Sequence, residues 1–401
     1  MQPNGDPDQP GGAATRPRPL EGVRVVEFGE FAAGPFCALL LADWGADVVK
    51  VESLNGDRLR QWPPYVDDDG TRWSANFLSL NRNKRSVALD LRSSEGNAHA
   101  RRLCAAAHVV VENFRPGAMQ RLGLGYAELA AEHKDLVFCS VSGYGQSGPY
   151  SSRGAFDIAI QAISGLMSVT GDSLGDPAKC GVAVADFMAG VFGALGIMVA
   201  LRRAEQSGEG AHVDCSMLSC MLSVATIQTS EFWGTGVPPG RLGSAHPQNA
   251  PYQAFASADG HFVIAAGTQP LWETLCATLG RSELVADPRF LDQALRATHQ
   301  VALKELLESN LAEKTSAEWI DILAPQGIPC SPVYDYGQVL SDPHVTASGL
   351  IDEMRLSSGK LVKRIGNPVN LSGYSFDAFR PPPALGEHND DVERDWALDI
   401  S

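Results

Sequence analysis

One ionisable residue, Asp186, interrupts the apolar, small-residue segment GVAVADFMAGVFGALGIMVAL, residues 181–201. A carboxylate in such surroundings costs free energy unless it is paired, capped or used in chemistry. Two roles fit the spacing. As a nucleophile, Asp186 would attack an electrophilic carbonyl from a helix N-terminus whose N–H groups can hold the developing oxyanion. As an N-cap, it would only open an apolar helix that runs through Arg202 and Arg203 and stops at Gly208. The two roles can coexist, because a helix N-terminus stabilises negative charge.

Other chemistry-bearing residues narrow the choice. The eight cysteines run from Cys37 to Cys330 without a CxxC, and no histidine pair has metal-ligand spacing. They read as buried thiols of a cytoplasmic protein in a reducing compartment. The formal net charge of -15 argues against general binding of nucleic acid or anionic membrane. An anionic ligand would need a local basic pocket, for which Arg82, Lys84, Arg85, Arg115 and Arg121 are the cations at hand.

The elements that must position these residues follow from composition and period. With 44% hydrophobic and 20% charged residues, the 401-residue chain reads as a soluble globular protein. Residues 1–19 are Pro/Gly-rich and read as a disordered tail. Residues 181–201 are long enough for a membrane span, but Asp186 with Gly190, Gly193 and Gly196 favours a buried helix. GVRVVEF, a glycine turn, a helix from Pro35 and ADVVKVE make a βαβ unit. Its turn, GEFAAG, is not GxGxxG, so a dinucleotide site is not indicated. Alternating strands and helices continue to about residue 150 and predict an α/β fold with a doubly wound parallel sheet. A large domain is expected over 20–225, a linker over 226–245 and a small α+β domain over 246–340. Residues 341–401 are expected to return and complete the large domain. Within the small domain Ala258-Asp259-Gly260 signals a hairpin and Thr315 with Glu318 a capping box.

Nine stretches in order, from PLEGVRVVEF with AAGP to RPPPALGEH, make the chain resemble the class III coenzyme A-transferases. The others are GADVVKVE, NRNKRSVALDL, VENFRPG, LGLGYAEL, SVSGYGQSGP, the FD…QAISGLM…TG run and VADFMAG. Within that family the resemblance is strongest to succinyl-CoA:glutarate and related dicarboxylate transferases. It is carried by SLNRNKRSVAL, RLGSAHPQNAPYQAF with DGHFVIAAG, and IPCSP before DPHV. The resemblance implies that Asp186 is the nucleophile. It implies CoA contacts at Phe31, Ala33, Leu89, Leu91, Asn113, Phe114, Arg121, Ser142 and Tyr144. It further implies a homodimer of interlocked chains, with no permanently bound cofactor or metal and with CoA entering as an acyl-CoA substrate. The chain departs from formyl-CoA transferases at Ala32, Ser53 and Ser142, where those enzymes carry glutamine, arginine and lysine.

In the implied chemistry a carboxylate and a thioester exchange acyl and CoA through an anhydride, so neither a metal nor a histidine base is needed. Two alternatives stay open. A 2-methylacyl-CoA racemase on the same fold needs a second base, and in those enzymes a histidine precedes the aspartate of a GHD segment. Here Phe156 precedes Asp157. The other alternative is a non-catalytic CoA-binding protein. For a transferase, succinyl-CoA is the expected donor and a C4–C6 dicarboxylate the acceptor. Arg82 and Arg241, in the two diagnostic stretches, are the candidates to hold the remote carboxylate.

Overall fold

Valine-rich runs form the strands that carry the site. In the computed structural model, which describes residues 18–372, 374 and 380–398, six of them make one parallel sheet. They are β1 (Arg24–Phe28), β2 (Asp47–Glu52), β3 (Lys84–Ala88), β4 (Val109–Glu112), β5 (Val137–Ser142) and β6 (Ala211–Ser216). Their order is β3-β2-β1-β4-β5-β6. The order reverses between β1 and β4, and the carboxyl ends of strands at such a reversal form the ligand crevice of doubly wound sheets. Both faces are covered, which explains why the strands are nearly continuous apolar runs. Among the charged exceptions, Glu27, Lys50, Glu52, Lys84, Arg85 and Glu112 are buried. The expected tail lies, up to residue 17, outside the described residues.

Three helices matter for the site: α1 (Ala33–Asp43), α2 (Asp157–Ile163) and α3 (Val184–Ser207). By length and composition α3 could cross a membrane. Its glycines instead form a groove that lets neighbours approach closely. A Cβ on Gly190 would lie 2.8 Å from Phe36 and 3.1 Å from the Ala33 carbonyl oxygen. One on Gly193 would lie 3.1 Å from Cys37 Sγ, and one on Gly196 2.7 Å from Val213. The three glycines therefore seat α3 against α1 and β6.

The chain divides into two compact units. One takes in residues up to Ser164, Val182–Val224 and Ala347 onward; the other is Gly165–Gly181 with Ala225–Thr346. The stretch 226–245, expected as linker, begins as the helix Thr226–Thr235. In the second unit an antiparallel sheet of Tyr252–Ala256, His261–Ala265 and Cys330–Pro332 packs on Trp272, Phe290, Leu303 and Leu307. The Thr315–Glu318 capping box forms there.

The last described segment returns to the first unit and lies along the edge strand β3. Ser86 N–H donates to His388 Nδ1 (3.3 Å), Ala88 N–H to Asn389 Oδ1 (3.0 Å), and His388 N–H to the Ser86 carbonyl (3.0 Å). Val392 and Trp396 join Val26, Phe28 and Phe138 in the core. A sheet edge that would otherwise offer unpaired backbone groups is thereby covered.

Candidate functional site

Asp186 is the third residue of α3, not its cap. The N-cap is Ala183, which makes no side-chain cap. Asp157 does that work from α2: its Oδ1 accepts the Ala185 N–H at 2.9 Å. Among the described residues the Asp186 carboxylate has no hydrogen-bond or ion-pair partner, and the side chain is half-buried. Burial, with the Asp157 charge added, pushes its pKa up to about 7. An unpaired, partly desolvated carboxylate in the first turn of a helix has lone pairs free to attack and donors near by for an oxyanion.

The carboxyl ends of β1, β2, β3 and β4 enclose a cavity of about 480 Å³. Gly29 and Glu30, Ser53 and Leu54, Leu89 to Arg92, and Phe114 line it. Three of the expected CoA positions, Leu89, Leu91 and Phe114, thus meet in one crevice of ligand size. Asn113 joins two of its loops, because its Oδ1 accepts from Glu30 N–H (3.0 Å) and its Nδ2 donates to the Glu30 carbonyl (2.9 Å). Glu112 shapes the same turn by accepting the Phe114 N–H (2.8 Å), and burial raises this acid to about 7.

Phe31 follows Glu30 of the cavity loop and reaches the Phe156 ring. Its φ of 64° is left-handed, a strained conformation for a bulky residue. Its N–H donates to Asp57 Oδ1 at 3.3 Å, and its ring meets Trp62 at 5.5 Å and Phe156 at 6.2 Å. Phe156 directly precedes Asp157, the cap of α3. Ala33 is buried at the start of α1. Ser142 ends β5, where its Oγ accepts the Gly145 N–H (3.0 Å), and Tyr144 packs edge-on to Tyr150. Arg121 is exposed and does not line the cavity.

A buried ionic cluster underlies these loops. Lys50 Nζ lies 2.9 Å from Glu27 and 3.0 Å from Asp57, and it donates to the Gly29 carbonyl at 2.6 Å. Lys84 Nζ reaches the other Glu27 oxygen at 2.8 Å. Burial opposes the charge on both amines. At Lys50 the Glu27, Asp57 and Glu52 carboxylates outweigh it and raise the pKa, whereas at Lys84 burial prevails and the pKa falls to about 8. Lys50→Met leaves Asp57 buried without its cation and is expected to cost about 3–5 kcal/mol, read as a lower denaturant midpoint. A loss below about 1 kcal/mol would show that the cluster does not hold the loops.

The structure takes Arg82 and Arg85 out of the expected anion pocket. Arg82, expected to face a substrate carboxylate, is buried and bound through two nitrogens to Asp43. Arg85 pairs with Asp47 and Asp395. The reason is chain direction: Arg82 to Arg85 enter β3 at the sheet's amino end, away from the crevice. Arg241, half-buried, donates to the backbone carbonyls of Asp172 (3.1 Å) and Gly175 (2.7 Å). Two guanidinium groups at the crevice were missed from sequence. Arg92 lines the cavity, and Arg58 pairs with Glu30 through two nitrogens and lies 4.9 Å above the Phe31 ring. Their position after β2 and β3 was the available signal.

Residues 20–389 match the family described as CoA-transferase family III. The chain is 36% identical to the succinate–glutarate CoA-transferase of Agrobacterium fabrum over 94% of this chain and 95% of that protein. It is equally similar, at 36%, to the succinyl-CoA–D-citramalate CoA-transferase of Chloroflexus aurantiacus, over 94% of each chain. A crystal structure of a CAIB/BAIF family protein from Brucella suis superposes with a TM-score of 0.85 at 36% identity, covering 95% of this chain and all of that one.

Proposed function

Because this chain belongs to CoA-transferase family III, we propose that it moves CoA from succinyl-CoA to a C4–C6 dicarboxylate through Asp186. The observation that carries the reading is the unpaired Asp186 carboxylate in the first turn of α3. In the proposed sequence a carboxylate oxygen attacks the thioester carbonyl and the C–S bond breaks. CoA leaves as thiolate, and a mixed anhydride stays on the enzyme. The thiolate attacks the aspartyl carbonyl of that anhydride, releasing the first acid and leaving an aspartyl-CoA thioester. The acceptor acid reverses both steps. CoA is thus a substrate, and no resident cofactor takes part. The family fold and the names of the relatives at 36% identity support the donor and acceptor classes.

The cavity that gathers Leu89, Leu91 and Phe114 supports this crevice as the CoA site, with Asn113 fixing its loops and Phe31 leading from it. Racemisation is disfavoured, because Phe156 offers no proton carrier where a second base is needed. A cytoplasmic location fits eight free thiols. The interlocked homodimer is supported by one face of α3, where Val191, Leu195, Met198 and Val199 are exposed at helical spacing. Sedimentation of an active monomer at nanomolar concentration would refute it. The functional test is exchange. Succinyl-CoA and labelled glutarate should give glutaryl-CoA and succinate in equal amounts, and release of free CoA in place of glutaryl-CoA would overturn the transferase reading for these substrates.

A further inference from the structure

We propose that Asp157 is a positioning residue for the nucleophile: it caps the first turn of α3 and supplies the charge against which Asp186 works. The inference rests on reading Asp186 as the nucleophile. The geometry engages both Asp157 oxygens. Oδ1 accepts the N–H of Ala185, the residue before Asp186, at 2.9 Å. Oδ2 accepts from Gln161 Nε2 at 2.6 Å, and that same nitrogen reaches the Val182 carbonyl at 3.5 Å. Gln161 is fully buried. The start of α3 is thus gripped on both sides, at Val182 and at Ala185, by a two-residue brace on one turn of α2.

Among the described residues, no cation lies on the elements packed against α3; the basic group on the segment leading into it, Lys179, donates to the Cys180 carbonyl at 3.1 Å. The elements packed against α3 are α1, α2, β5, β6 and the helix Met217–Val224. Their titratable groups are Cys37 and Asp43, Asp157, Cys139, then His212, Asp214 and Cys215, and Cys220. Asp43 is paired with Arg82, Asp214 accepts the Gln146 N–H, and Cys215 donates to the Ala189 carbonyl. Among these groups Asp157 is the one whose charge acts on Asp186, adding to burial. Arg202 and Arg203 stand four turns further along α3.

The consequence for the reaction follows from where charge moves. As Asp186 attacks, a C–O bond forms, the C–S bond breaks, and the negative charge leaves Asp186 for the CoA sulfur. Repulsion from Asp157 is present before attack and relieved by it, which favours the anhydride step.

The test is the pH profile of kcat/KM for the acyl-CoA between pH 5 and 9, which reports the free enzyme's ionisations. Wild type should lose activity below an acid limb near pH 7. Asp157→Asn keeps an oxygen for the Ala185 N–H and removes the charge. Its limb should move down by about one pH unit. Its alkaline plateau should fall on the order of tenfold with KM for the acyl-CoA unchanged. Asp157→Ser is a second uncharged cap and serves if the first variant folds poorly. A limb that stays in place in either folded variant overturns the proposal, as does a change in KM alone. If Asp186→Asn abolishes exchange while Asp157→Asn leaves the limb unmoved, only this inference falls. If Asp186→Asn turns over normally, the nucleophile reading falls first.

Discussion

Asp186→Asn and Asp186→Ala are both expected to lose CoA transfer by about 10⁴-fold or more while remaining folded. The asparagine variant is the sharper of the two, because it preserves size and polarity and removes only the nucleophilic oxygen pair. A capping role for Asp186 is no longer available as an explanation, since Asp157 takes the Ala185 N–H. Hydroxylamine added during turnover should mark Asp186, and not Asp157, Asp172 or Asp176. The same substitution should raise stability in a pH-dependent way. The folded pKa of about 7 lies above the ordinary 3.8. Between those values the folded chain holds a proton that the unfolded chain has lost, so wild-type stability falls as pH rises through this window. Asp186→Asn should therefore match wild type below about pH 4 and exceed it by about 2 kcal/mol above pH 7, after allowance for solvent screening of a half-buried group. Thermal melts at pH 4 and pH 8 read this difference. Near-normal turnover in the asparagine variant would end the nucleophile assignment.

Glutarate or succinate should outrun valerate or butyrate as acceptor by about 10²–10⁴-fold in kcat/KM. The proposed source of the margin is a remote carboxylate seated on a fixed cation, which a monoacid would leave unpaired. Arg82 cannot be that cation, because it is bound to Asp43 on the amino side of the sheet. Arg82→Ala should accordingly lower stability and leave selectivity untouched. Arg241 uses its Nε and Nη2 on backbone carbonyls, and the rest of its fork is open to a carboxylate. A diacid preference that collapses in Arg241→Ala would assign the seat to Arg241, and an unchanged preference would remove that assignment alone. Equal efficiency for diacids and monoacids in wild type would sink the dicarboxylate reading.

Local signals in the chain were dependable where the physics is local. The hairpin around Asp259-Gly260 and the Thr315 capping box both formed from residues within a few positions of one another. A second hairpin, Tyr65–Asp68 with Thr71–Ser74, was equally signalled by Asp69-Gly70, both at positive φ, and was passed over. The site needed partners that sequence does not bring near. The basic run at Arg82–Arg85 looked like an anion pocket, but its carboxylates are remote in the chain: Asp43 is 39 residues before Arg82, Asp47 is 38 before Arg85, Glu27 pairs with Lys84, and Asp395 is 310 after Arg85. Asp157 looked like the remnant of a racemase motif, and its tie to Ala185 spans 28 residues. The raised pKa of Asp186 was legible in kind, because an acid among apolar neighbours must be desolvated. The share owed to Asp157 was not.

The tie between β3 and the returning segment also constrains how the protein is made. The groups that cover Ser86 and Ala88 are encoded some 300 residues downstream. At about 5–20 residues per second, a ribosome needs roughly 15–60 s to deliver them after β3 has emerged. Throughout that interval the nascent sheet carries a naked edge and lacks Val392 and Trp396 from its core. Chaperone occupancy on translating ribosomes should therefore persist until residues 386–396 have emerged. A chain released before residue 386 should partition to aggregates even though it already encodes Asp186 and every residue that lines the crevice.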